Sequence, residues 1–237
     1  MRAFLLMSAV AALATVAACG KADSGAARDT GMVAASGSAG AAAANADVDR
    51  ATGGAGLPAG FVGRTDNPST PISGAKYTAS GDMWEVVTGP AHIVDRPLDM
   101  ASGNYTASAT IEQLEKPAHP EAYGIFIGGK DLDQPTETYT YFIVRGTGEL
   151  AIKVREGDKT REVIKWTPSA DVAKQDASGK ASYTLSAQVT GDAVKFMVNG
   201  KQAASVSKVG LPTDGIAGLR INHNLHVRFS AISIRTP

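Results

Sequence analysis

Ala122 to Gly146 reads AYGIFIGGKDLDQPTETYTYFIVRG. Ala122 to Ile127 and Thr138 to Arg145 are dense in Tyr, Phe, Ile and Val, which fit a pleated, buried surface, so both are expected as core strands. Gly128-Gly129 and Gln134-Pro135 interrupt the pattern and demand a loop, which carries Asp131, Asp133 and Glu137. Within the second strand Tyr139, Tyr141 and Ile143 share one face, and Arg145 ends their row. An Arg at the end of a buried row must find water or a partner, which makes Arg145 the leading polar candidate on a concave sheet face.

Working outward, strands are expected at Leu150 to Arg155 and Arg161 to Trp166, joined through Gly146-Thr147-Gly148 and Glu156-Gly157-Asp158 as a meander. Tyr183 to Val189 alternates with Tyr183, Leu185, Ala187 and Val189 inward, and Gly191-Asp192 turns the chain into Val194 to Val198. Asn199-Gly200, a pair suited to a type I′ turn, leads into Lys201 to Ser207. Ile216 to Ile221 and His226 to Ile234 close the chain, the latter with a bulge expected near Ala231-Ile232. Upstream, Met83 to Val87 with Trp84, Ala91 to Val94 and Asn104 to Glu112 read as strands, and the Pro-rich Phe61 to Ser80 as an extended arm closing one edge. Only Pro168 to Gln175 offers a short helix. The pattern is all-β: a two-sheet antiparallel β-sandwich, or jelly roll, over residues 61–237.

The succession YGIFIGG, YTYFIVRG, a strand ending in IKW, VKFMVNGK and GIAGLRINHNL resembles the bacterial concanavalin A-like lectin/glucanase jelly rolls. Among them it is most similar to the 3-keto-disaccharide hydrolase-like set. The resemblance covers most of Met83 to Ile234 and implies a sandwich with a glycan site, or a hydrolase acting on sugar derivatives. Related family 16 enzymes place both catalytic carboxylates on one strand face with Glu-x-Asp-x-x-Glu, and this chain lacks that string, so a non-catalytic role is expected.

Candidate ligand contacts are the aromatic and polar side chains a sugar needs: Tyr139, Tyr141, Trp84 and Trp166 as faces, Arg145 as a donor, and Asn222, His223 and Asn224 as a polar patch at a strand end. Asp131, Asp133 and Glu137 offer hard oxygen ligands that would suit calcium, against the plainer reading of a solvated acidic loop. His223 and His226, three apart on an extended chain, face opposite sides and are not expected to form a metal pair.

The first 60 residues speak about address. Met1 to Ala18 has Arg2 followed by an apolar run that is short and Ala-rich for a spanning helix, and reads as an export signal. Val16-Ala17-Ala18-Cys19 resembles a lipobox, which implies a lipidated Cys19, and Gly20 in place of Asp implies the outer membrane, facing the periplasm or the cell surface. Cys19 is the sole cysteine, so neither an internal disulfide nor a cysteine-based zinc site is available. Residues 20–60 contain 14 Ala and 9 Gly and no aromatic residue, too little apolar surface to offset chain ordering, so 19–60 is expected as a lipidated disordered tether. With 23 basic and 23 acidic side chains there is no net field to recruit nucleic acid. The partners expected are the membrane, through the anchor, and a glycan or a cell-envelope protein; a purely structural envelope lipoprotein is the third reading.

Overall fold

The computed structural model describes residues 56–237, and within them the regular secondary structure is almost entirely antiparallel strand. Leader, lipobox and most of the tether lie outside the described residues. The strands are β1 (Val62–Thr65), β2 (Lys76–Ser80), β3 (Met83–Val87), β4 (His92–Ala101), β5 (Tyr105–Gln113), β6 (Ala122–Lys130), β7 (Thr138–Arg145) and β8 (Glu149–Glu156). There follow β9 (Lys159–Pro168), β10 (Ala181–Val189), β11 (Ala193–Val198), β12 (Lys201–Ser207), β13 (Gly215–Ile221), β14 (His226–Ser230) and β15 (Ser233–Arg235). One sheet runs β1-β4-β13-β6-β7-β8-β9, and the other β12-β11-β10-β5-β14-β3-β2 with β15 added to β5.

Alternation sorts each strand into a face toward the other sheet and a face away from it. Tyr123, Ile125 and Ile127 of β6 and Phe142 and Val144 of β7 point into the inter-sheet core, where they meet Tyr183, Leu185 and Phe196 of the opposing sheet. Phe142 and Phe196 make a tilted ring contact at 5.3 Å, and Tyr123 lies 6.1 Å from Tyr183. The expected inward row of β10 is buried throughout. Asn199 and Gly200 both take positive φ, 50° and 79°, as a type I′ turn requires.

The arm at Phe61 to Ser80 does more than close one edge. It supplies β1 to an edge of the seven-stranded sheet and β2 to an edge of the other, joined by a 3-10 turn at Ile72–Gly74. Residues 168–175 form no helix: Ser169 to Gln175 is a turn whose backbone bonds to Gly146 and Gly148. The phase change near Ala231-Ile232 is a break between β14 and β15, and both pair with β5.

Where the two sheets meet beside β2, His92 is wholly buried. Its Nδ1–H donates to the Pro90 carbonyl at 2.8 Å, so Nε2 is left to accept from the Tyr77 hydroxyl. Burial holds the imidazole down to about 4, outweighing the Pro90 bond, and His92 is a neutral structural residue.

Candidate functional site

β7 is buried on both faces, and its second face decides the site. Tyr139, Tyr141 and Ile143 pack there with Phe126 and Ala122 of β6, Ile93 of β4 and Ala151 of β8, flanked by Trp166 and Leu132. This is the outer face of the seven-stranded sheet, turned away from the sandwich core. Two glycines shape its floor. A Cβ on Gly218 would come within 2.5 Å of the Phe126 ring, so Phe126 lies where only hydrogen is tolerated. A Cβ on Gly124 would lie 1.9 Å from the Phe142 carbonyl oxygen.

Above this aromatic floor sits a network of charges. Arg220 of β13 makes a two-pronged ion pair with Asp66, just past β1, and its guanidinium carbon lies 5.9 Å from the Tyr141 ring centre. Glu137 lies between two arginines, Arg155 at 3.1 Å and Arg64 at 3.5 Å. Arg64 and Arg155 are rooted on strands five spacings apart, about 24 Å on a flat sheet, so both side chains lean inward over the face. Burial alone would raise the Asp66 carboxyl, but Arg220 and, more distantly, Arg155 outweigh it and hold it below the usual carboxylate range. For Glu137 the balance falls the other way: burial outweighs its two arginines and raises it.

The acidic loop folds back onto this face. Leu132 packs on the aromatic floor, and Arg64 donates to the carbonyls of Leu132 and Gln134. Between β1, β4 and the loop opens a cleft of about 430 Å³ lined by Arg64, Ile93, Asp95, Asp131, Leu132 and Asp133 among others. Asp95 is 3% exposed there, and its Oδ2 has no hydrogen-bond partner among the described residues. Burial, with Asp99 nearby, pushes its carboxyl up to about 7. A second pocket, about 250 Å³, lies at the opposite end of the same strands, between Asp66, Asn67, Thr70, Arg220, Asn222 and His223.

These facts locate each residue singled out from the sequence. Tyr139 and Tyr141, 1% and 8% exposed, are the floor beneath the ion network and not open platforms for a sugar ring. Arg145 stands at the far end of their row, its guanidinium carbon 3.7 Å from the Trp166 ring centre, with Glu149 at 3.9 Å. Trp84 belongs to the other sheet, where it packs edge-on against Phe61 at 6.1 Å, apart from the rest. Asn222 and His223 line the smaller pocket, and Asn224 sits in the same turn with φ of 54°. Asp131, Asp133 and Glu137 do not assemble into a calcium cage, because Glu137 is committed to Arg64 and Arg155 while both aspartates line the cleft. His223 and His226 keep separate partners, Glu121 and Glu85, each at 2.7 Å.

Arg220, Asp66, Arg64, Arg155 and Asp95 were not singled out. A signal existed for Arg220, the one charge in the strand GIAGLRI, whose alternation sends Ala217, Leu219 and Ile221 inward and Arg220 outward. Nothing local marks Asp66, since its partner stands 154 residues away.

No protein-family model matches the sequence, and no curated protein matches it. Solved structures do. The carbohydrate-binding module CBM66 from Bacillus subtilis aligns over 75% of this chain and 96% of its own, with a TM-score of 0.54 at 10% identity. A putative glycosyl hydrolase from Parabacteroides distasonis aligns over 68% of this chain and 90% of its own, with a TM-score of 0.46 at 14% identity. Sheep galectin-11 aligns over 57% and 92%, with a TM-score of 0.42 at 9% identity. With the two-sheet topology, the chain has the jelly-roll fold of the concanavalin A-like lectins and glucanases.

Proposed function

We propose that this chain is a lipid-anchored protein of the bacterial envelope, held at the outer membrane through Cys19, whose sandwich binds a glycan or a similar extended, hydroxyl-rich ligand. The observation that carries the reading is the pocket beside the Arg220–Asp66 pair. A sugar ring is recognised by donors and acceptors already fixed in place, because ordering them on binding would cost affinity. Arg220 and Asp66 fix each other, and the Asn222 amide and the His223 imidazole are both held by the Glu121 carboxylate. Asp66 keeps 38% of its side chain exposed, so the pair still faces a ligand. The common fold with a carbohydrate-binding module supports the reading.

The test is a glycan array followed by calorimetry on the best saccharide. Asn67→Ala lines the pocket without touching the ion pair, and should weaken binding about tenfold, or 1.4 kcal/mol, with folding intact. An array blank for the wild type sinks the proposal.

Asp95 favours a second reading, an enzyme acting on sugar derivatives. A carboxyl pushed toward neutrality in a cleft also lined by Asp131 and Asp133 is poised as a general acid or base. Release of product from a keto-disaccharide panel, abolished by Asp95→Asn, would establish it. Product release unchanged in that variant would remove Asp95 from the chemistry.

A further inference from the structure

The loops between β5 and β6 and between β13 and β14 bring together His119, Glu121 and His223, whose ligand atoms all lie within 4.8 Å of one another. Glu121 is the centre of the group. Its Oε1 lies 2.8 Å from His119 Nδ1 and is hydrogen-bonded to His223 Nε2 at 2.7 Å, and its Oε2 accepts from the Asn222 amide at 3.2 Å. The two imidazole rings stand edge to face, 5.6 Å between centres. We propose that this trio is a binding site for a divalent transition-metal ion, with His119, Glu121 and His223 as its three protein ligands.

The arrangement fits the chemistry of such ions in three respects. Two imidazoles and one carboxylate are a donor set that zinc, cobalt and iron accept, and three protein ligands leave a position for water or substrate. Metal–nitrogen bonds of about 2.0–2.1 Å put neighbouring ligand atoms about 3.4 Å apart in a tetrahedron, so the ion enters by small side-chain rotations that part atoms now 2.7–2.8 Å from each other. With the ion bound, each imidazole carries its proton on the ring nitrogen that faces away from the metal, and the ion takes the place between the carboxylate and the two rings. The Asn222 bond holds the second carboxylate oxygen and so sets the direction of the first, the usual task of a residue behind a metal ligand. Glu121 is 7% exposed although it is acidic, whereas His119 and His223 retain more solvent contact, which leaves an entry path.

The site has room beside it. His223 also lines the 250 Å³ pocket next to Arg220, and His119 and Glu121 line a separate recess of about 100 Å³ with Gln113 and Gln175. A metal held here would lie beside the proposed glycan pocket, since His223 lines that pocket. The ion proposal stands independently of that ligand, since its probe is the metal alone.

The experiment is cobalt(II) titration of the full chain carrying Cys19→Ser, which removes the one thiol that could compete. We expect one equivalent to bind with visible d–d absorption, raising the thermal midpoint, and zinc to displace it. His119→Ala and His223→Ala should each weaken binding at least tenfold, whereas His226→Ala, at the other His–Glu contact, should leave it unchanged. Absence of a cobalt spectrum in the parent, or an affinity unchanged in both the His119 and His223 variants, overturns the site. Glu121→Gln keeps the shape and separates ligand loss from misfolding: weaker cobalt binding at an unchanged metal-free midpoint supports the proposal, and unchanged binding counts against Glu121 as a ligand.

Discussion

Asp95→Asn tests the outer-face cleft in a way that can be worked through from one carboxylate. Asp95 is 3% exposed, has no hydrogen-bond partner for Oδ2 among the described residues, and has its carboxyl pushed up from 3.8 to about 7 by burial and Asp99. A group whose folded-state pKa is raised contributes fully below its unfolded value and loses that contribution as pH rises through the folded value. For Asp95 the loss therefore runs from about pH 4 to just above 7. At 1.36 kcal/mol per pH unit the total is on the order of 4 kcal/mol. Asparagine keeps the shape and never ionises, so the variant should match the wild type near pH 4 and exceed it by up to about 4 kcal/mol near pH 9. Urea unfolding of the Cys19→Ser chain and its Asp95→Asn derivative across that range reads the difference directly, with equal slopes against denaturant expected. A difference that stays constant with pH would refute the reasoning, because it would mean that Asp95 ionises in the folded protein as it does in the unfolded chain.

Further outcomes follow from single residues. Arg220→Ala strands Asp66 and uncovers Tyr141; because Asp66 keeps partial solvent contact, the loss should be about 2 kcal/mol, below the 3–5 kcal/mol of a fully buried pair, and a double-mutant cycle with Asp66→Ala should return a coupling above 0.5 kcal/mol. The Asp66 carboxyl is held below its ordinary range, so that coupling should be intact at neutral pH and fade as the solution is acidified below that range, the opposite direction from Asp95. Gly200→Ala forces an L side chain to φ of 79° in the β11–β12 turn and should cost about 1 kcal/mol in thermal or urea unfolding. Cys19→Ser should abolish incorporation of labelled fatty acid and move the protein from the membrane to the soluble fraction; retention at the membrane would overturn the anchor.

The sandwich was legible because its signals are local. Alternation in β5 and β10, turn glycines, and Asn199-Gly200 each act within a few residues, and backbone sterics make them reliable. The arm at Phe61 to Ser80 was half legible: its prolines mark extended chain, but which sheet edge each piece joins depends on strands far along the sequence. The turn after Pro168 has helical-looking composition, yet its backbone groups are taken by Gly146 and Gly148, a tertiary choice that overrides propensity.

The site was less legible for the same reason. Tyr139, Tyr141 and Arg145 could be placed on one face from spacing alone, and they do share it. That Tyr139 and Tyr141 would be roofed could not be read, because the roof is Arg64, Asp66, Arg155 and Arg220, drawn from three distant segments. Glu137 looked like a loop ligand until its two arginines were in view. The His119, Glu121 and His223 trio spans more than a hundred residues, and no spacing rule joins its halves.

The most direct test of the account is an amide NMR titration of the folded chain with soluble envelope saccharides, read residue by residue. The account predicts saturable shifts concentrated at 66–67, 91 and 220–223, around the pocket that Arg220 and Asp66 share. Shifts confined to the eight-stranded sheet, or none with any saccharide up to millimolar concentration, would contradict it.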